Sequence, residues 1–304
     1  MWSLYKMKEG EKLFFQQIIN GLAIGSSYAL VAIGYTMVFG VIELTNLAHS
    51  AVFMLGAYIA CAMMAGMFGF PMAVVVTLAS CGFAGILIDR VALNPMRKRG
   101  ASGVSYLICT IGVSFFIQNA IMLFFGSEAK PFPKIIENVQ FPLGDSCQIS
   151  TLQIITIVAA LVLAGVTTLI VNYTKVGAAM RAIAQNPSAA KLMGINVNTI
   201  ITVTFFIASF LAAVAGILIA MYYRSIDLTL GFTVGMKTFA SAVLGGIGVL
   251  PGAMVGGFLI GVLESLFGAY VSNGFKDAVA FIILIIVLLV RPTGLMGKKS
   301  IKKV

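Results

Sequence analysis

The groups in this chain that could carry chemistry are few and widely separated. His49 is its only histidine, and the only acids set within apolar stretches are Glu43 and Glu264. Acid–base or nucleophilic catalysis needs convergent groups, and the sequence has no H-E-x-x-H pair, no Walker lysine and no nucleophile elbow. The cysteines, Cys61, Cys81, Cys109 and Cys147, fall at no metal-ligand or redox spacing and read as small hydrophobes. The expectation is a chain with no catalytic residue, no metal and no cofactor of its own. Ionisable groups in apolar runs are costly in a membrane and face the bundle interior or a wet cavity. Glu43, Asn46 and His49 could therefore line a break after the first span. Glu264 is a further candidate, or a group simply hydrated near the outer end of its helix.

Those residues must be held by membrane helices. The chain has 304 residues, 60% hydrophobic and only 10% charged, where soluble domains carry about 25% charged residues. Leu152–Tyr173, Ile200–Met221 and Ala278–Val290 with its flanks reach the ~20 residues that cross a bilayer, and the alternating segments of a β-barrel are absent. Leu13–Gly40 is too long for a signal-peptide core. The fold class expected is an all-α polytopic bundle, one domain over 1–304, with about eight spans of which one or two are broken. Small-xxx-small pairs, Gly21 with Gly25, Gly252 with Gly256 and Gly257 with Gly261, predict close helix packing.

Charge sets the sidedness. Arg90, Arg97, Lys98 and Arg99, then Lys175, Arg181 and Lys191, then Arg291, Lys298, Lys299, Lys302 and Lys303 form three basic regions with one acid, Asp89. The connections Gly126–Thr151, Tyr222–Lys237 and Val271–Asp277 balance bases against acids. By the positive-inside rule the first group is cytoplasmic and the second faces out. The basic excess is thus a topology signal and an anionic-lipid contact rather than a nucleic-acid footprint. Lys6, Lys8 and Lys12 are nearly balanced by Glu9 and Glu11, so charge leaves the N-terminal side open. One span over Lys237–Tyr270 would strand the basic tail outside. Around Leu244–Gly252 the chain reads LGGIGVLPG, which no helix passes through unbroken. A short inward segment Phe232–Leu244 and an outward return Gly252–Tyr270 restore the parity. Gly245, Gly246 and Gly248 are then either elements of a path or hinge, or an ordinary cytoplasmic turn.

The cytoplasmic connection 174–198 carries a small helix with its own signals. Asn186 suits the N-cap, Pro187 the first turn and Gly194 a left-handed C-cap. A pore with no nucleotide motif and few buried acids needs an outside engine, and this helix, Asn186 to Gly194, is where one could dock, with Arg181 and Lys191 flanking the contact.

SAAKLMG at Ser188–Gly194 resembles the E-A-A-x-x-x-G signature that ABC importer permeases present to their ATPases. RAIAQNPSAAKLMGIN, NLAHSAVFMLGAY at Asn46–Tyr58, FASAVLGGIGVLPGAMVGGFLIGVLES at Phe239–Ser265, NGLAIGSSYALVAIGYTMVFG at Asn20–Gly40 and VRPTGLMG at Val290–Gly297 resemble the branched-chain amino-acid permease family (LivH-like). Ser188 stands where the signature has an acid, and Ser50 where relatives usually have glycine. The resemblance implies a multi-pass plasma-membrane subunit whose ATPase-coupling residues are Arg181, Asn186, Pro187, Ser188, Ala189, Ala190, Lys191 and Gly194. It implies a second homologous permease, two ABC ATPases that use the ATP, and a periplasmic or extracellular substrate-binding protein. The function expected is import of leucine, isoleucine or valine. A same-family permease for urea, short amides or other amino acids is the alternative, with a stand-alone channel or ion-coupled carrier behind it.

Overall fold

A computed structural model describes residues 2–66, 69–143 and 147–297, with side chains from residue 13 onward. The basic tail Lys298, Lys299, Lys302 and Lys303 lies outside the described residues, as does Asp145. The side chains of Lys6, Lys8, Glu9, Glu11 and Lys12 do too. Eight helical stretches among the described residues are long and apolar enough to cross a membrane. The main helices are α1 (Trp2–Ile42), α2 (Ala48–Ala65), α3 (Phe70–Leu87), α4 (Asn94–Lys98) and α5 (Gly103–Phe125). After them come α6 (Thr151–Tyr173), α7 (Lys175–Gln185), α8 (Pro187–Leu192), α9 (Val197–Tyr223), α10 (Thr229–Gly245), α11 (Leu250–Tyr270) and α12 (Lys276–Val290). The chain is a polytopic helical membrane protein.

The break at LGGIGVLPG is real. α10 has 17 residues, about 25 Å at 1.5 Å per residue, and so falls short of a full bilayer core. It stops because Gly246 and Gly248 take positive φ of 104° and 90°, and α11 restarts at once with Pro251 in its first turn. The two helices return on each other as a hairpin, and the parity of the spans is restored as the sequence suggests. One detail differs: Lys237, which falls at the edge of an outer connection when charges are counted, is buried within α10. Its removal from the outer tally sharpens the charge asymmetry.

Hydrogen bonds between connections settle the side on which α1 begins. Gln16 Nε2 donates to the carbonyl of Gln148 at 2.9 Å, and Gln148 N donates to Gln16 Oε1 at 2.8 Å. Gln148 belongs to the hairpin β2 (Gln140–Leu143) with β3 (Cys147–Ser150), and the short β1 (Lys130–Pro131) pairs with β4 (Ser225–Ile226). All of these lie in connections that charge places outside. The N-terminal half of α1 is therefore on the outer side, its C-terminal end inside, and nine passages bring α12 to the cytoplasmic face.

The third span is longer than the apolar run Met72–Ile88 suggests. α3 passes through a π-helical turn, Ile88–Leu93, into α4, forming one stretch to Lys98. Arg90, Arg97 and Lys98 thus sit on helix rather than in a loop. Asp89, fully buried, pairs with Arg97 at 2.7 Å and accepts a hydrogen bond from Thr202 Oγ1 at 2.6 Å. This ties the cytoplasmic end of α3 to α9.

Between α1 and α11 the packing is backbone on backbone. A Cβ at Gly261 would stand 2.4 Å from Gly25 Cα, and one at Gly257 would stand 2.5 Å from Ala29 Cα. Lipid offers no hydrophobic drive for association, so close approach and dispersion must hold these helices. Within the α10–α11 hairpin, a Cβ at Gly256 would meet the Ser241 carbonyl at 2.0 Å. Gly261→Leu is therefore expected to force α1 and α11 apart at a cost of about 1–3 kcal/mol or more. Gly112→Ala, on α5 where no atom lies within 4 Å, is expected to be neutral or slightly stabilising. Thermal unfolding of the two variants in detergent checks this.

Candidate functional site

The cytoplasmic connection is built as two helices rather than one. α7 precedes the small helix read from sequence. Thr174 Oγ1 caps it by accepting from Gly177 N at 3.1 Å. Gly177, Met180 and Ile183 are its buried residues, at near-helical spacing, and it packs on α6, α1 and α9. The sequence signal was present, since those three residues share one face, but the alanines around them leave that face weakly marked. The Arg181 guanidinium donates to the Val171 carbonyl near the end of α6. It closes an orphan carbonyl of its own chain while the residue stays exposed.

α8 is fixed at both ends. Asn186 Oδ1 accepts from Ser188 N and Ala189 N, each at 3.0 Å, with Pro187 in the first turn. At the far end Gly194 has φ 83°. Ile195 N donates to Ala190 O and Gly194 N to Lys191 O, both at 3.1 Å, which is a Schellman motif. Ala190 is buried beneath the helix, while Ser188, Ala189 and Lys191 are exposed. Leu192 and Met193 are 89% and 83% exposed. Sequence reading missed this apolar pair, because adjacent apolar residues are unremarkable in so apolar a chain.

The residues considered for a path separate into different roles. Glu43, at φ 53°, ends α1 by donating its N–H to Phe39 O at 2.7 Å, and its side chain is exposed. Asn46 Oδ1 accepts from Ala48 N at 3.2 Å and so begins α2, while Thr110 Oγ1 accepts from Leu47 N at 3.3 Å. A break after the first span therefore exists, with its backbone groups satisfied by side chains. His49 does not line it: the imidazole is buried against Gly34 and lies edge-on to Tyr35 at 4.8 Å. Gly245 abuts Gly252, and Gly246 abuts Gly297. These glycines form the hairpin bend.

What the structure does enclose beside the break is an apolar cavity with about 570 Å³ of empty space. Leu47, Ala51, Met54, Ile111, Phe115, Phe232 and Met236 form its walls, from α2, α5 and α10, and Tyr35, Ser50, Ser114 and Gln118 are its polar members. Gln118 Nε2 donates to Leu228 O at 3.2 Å and joins α5 to the segment before α10. No charged side chain lines it. Asn46 borders a separate space of about 230 Å³ with Phe39, Phe239 and Ile247.

Glu264 is not a hydrated helix end. It is 3% exposed, with Lys237 Nζ 2.7 Å from Oε1 and the Tyr28 hydroxyl donating to Oε2 at 3.0 Å. Lys237 also reaches Asp277 Oδ1 at 2.6 Å. α10 is thereby pinned to α11 and α12 on the side opposite its cavity-lining residues Gly231, Phe232, Gly235 and Met236. A lone lysine and a lone glutamate in successive apolar runs were the legible signal, but their pairing was not.

Comparison with known proteins bears on this arrangement. A family model described as the branched-chain amino acid transport system permease component matches residues 17–288. The chain is similar to the high-affinity branched-chain amino acid transport system permease protein LivH of Escherichia coli K12. The two are 41% identical over 98% of this chain and 100% of that one. BraD of Pseudomonas aeruginosa, a permease protein of the same description, is 45% identical over 96% and 98%. A probable LivH of Methanocaldococcus jannaschii is 30% identical over 95% and 93%.

Removing one partner of a buried ion pair strands the other, at about 3–5 kcal/mol. Lys237→Met is expected to lower the unfolding temperature strongly. Lys237→Met combined with Glu264→Gln should cost clearly less than the sum of the two single changes. A double-mutant cycle by thermal unfolding in detergent measures the coupling.

Proposed function

Since the chain belongs to the branched-chain amino acid transport permease family, we propose that it forms part of the membrane path by which leucine, isoleucine or valine is imported. The chain is a transport subunit, not an enzyme. ATPases and a binding protein are its partners by family. The finer reading is a second homologous permease beside it, two ATPases below, and one domain over 1–304 that works as a unit.

The observation that carries the coupling assignment is the rigid, exposed α8. A helix capped by Asn186 and closed by a Schellman motif does not fray, so a force on it is transmitted rather than absorbed. Ala190 seats it on the protein and Leu192–Met193 offers the partner an apolar surface. Because Ser188 replaces an acid, the contact rests on shape and apolar burial more than on an ion pair. α9 starts four residues after α8 and continues unbroken for 27 residues, which links the cytoplasmic contact to the outer connections. The apolar cavity suits the substrate's side chain: its walls reward aliphatic carbon, and the absence of charge there disfavours polar side chains.

The test is ATP-driven uptake by the assembled transporter in proteoliposomes. Gly194→Val must adopt a left-handed backbone at about 1–2 kcal/mol, and Ala190→Asp buries an acid beneath α8. Both variants are expected to insert and assemble normally, yet to cut leucine uptake by roughly tenfold or more while ATP hydrolysis continues. Unchanged uptake in both would sink the coupling assignment, and uptake of urea but not leucine would sink the substrate.

A further inference from the structure

At the outer ends of α1, α9, α11 and α12 lies a second cavity, open at its mouth, of about 340 Å³. It falls within the ~300–1,000 Å³ of small-molecule sites. Its lining is of a different kind from the apolar cavity: Gln17, Asn20, Tyr222, Tyr223, Glu264 and Lys276 border it. Two opposite charges thus face one space. Lys276 makes no ion pair among the described residues. Glu264 holds one partner on each oxygen, and a carboxylate offers about four acceptor positions. Behind it, Lys237 bridges the buried Glu264 and Asp277, whose side chain is half exposed.

A ligand that complements this wall must bring an ammonium to the Glu264 side and a carboxylate to the Lys276 side. We infer that this vestibule is a recognition site for the zwitterionic headgroup of an amino acid. Glu264 and the tyrosine hydroxyls receive the ammonium, and Lys276 receives the carboxylate. The inference rests on the proposed role as an amino-acid permease and deepens it by naming a site for the headgroup, which all amino acids share. Charge-assisted hydrogen bonds suit that task.

The experiment uses the assembled transporter in detergent and measures equilibrium binding of radiolabelled L-leucine. Competitors are leucinamide, which lacks the carboxylate, and isopentylamine and 4-methylpentanoate, which each lack one headgroup charge. Wild type is expected to prefer leucine at least roughly tenfold over each competitor. Lys276→Gln should weaken leucine by about that factor and leave leucinamide unchanged, a selective loss that a general structural defect would not produce. Gly268→Met supplies a plug: a Cβ there would lie at an ordinary 3.7 Å from Asn273 Oδ1 and Lys276 Cβ, so the longer side chain enters the vestibule and should abolish binding of every probe. The proposal is overturned if Lys276→Gln shifts leucine and leucinamide alike or neither. Leucine binding unaltered by Gly268→Met, or a wild-type complex that binds none of the probes, overturns it as well. Binding that follows the expected pattern without ATP-driven uptake would refute the transport reading and leave this one standing.

Discussion

Where a helix breaks inside an apolar bundle, its last carbonyls have no water to turn to, and this constraint governs the architecture. At the end of α10 the C-terminal segment of the chain meets it. Leu295 N donates to Leu244 O at 2.8 Å and Met296 N to Gly245 O at 3.1 Å. The approach requires glycine on both sides. Gly246 and Gly294 take positive φ, and a Cβ at Gly294 would stand 2.5 Å from Gly246 N. The motif VRPTGLMG is thus the lid on LGGIGVLPG, two segments far apart in sequence that are usable only together. The second break, between α1 and α2, is closed with side chains, Asn46 and Thr110, instead of backbone.

That closed break lets α10 be short, and a short α10 sets the parity that puts both the connection 174–198 and the end of α12 in the cytoplasm. It also gives α10 two unlike faces. One borders the apolar cavity through small residues, with Gly235 against Ser50 and Gly231 against Met54. The other is held by Lys237 to two helices. Buried ion pairs are weak contributors to net stability but fix a unique arrangement, because any displaced geometry strands a charge. The Asp89–Arg97–Thr202 cluster does the same at the cytoplasmic end, where the π-turn continues α3 into α4. Helices α1, α9 and α11 form the rigid centre between these clusters, packed through glycine and alanine so that little side-chain freedom remains to absorb motion.

Much of this was legible in the sequence because it depends on local chemistry or on one-dimensional sums. Apolar run length gave the spans, lysine and arginine placement gave the sides, and Asn-Pro followed by Gly gave α8 with both caps. The small-residue pairs announced close packing, though not which helices they join. α7 escaped notice because its amphipathic face is short, and the hydrogen bond of Arg181 to the Val171 carbonyl was not legible because a surface arginine's partner is not encoded in its neighbours. The path residues fared worst: Glu43, Asn46 and His49 are close in sequence, yet one is exposed, one caps a helix and one is wedged between helices.

The sequence by itself therefore determined that this is a membrane helix bundle, where it breaks, which side its basic loops occupy and where a small helix capped at both ends stands in the connection 174–198. Those properties follow from the cost of exposing backbone and charge to lipid, which acts residue by residue. Only the tertiary structure decided that Lys237 belongs with Glu264 and Asp277, that the last described turn caps α10, that the first helix begins outside, and that the two cavities lie beside Gln118 and Lys276. Each of these is a meeting of residues far apart in the chain. The energy of such a meeting depends on distance and burial in three dimensions, and no local pattern of residues records it.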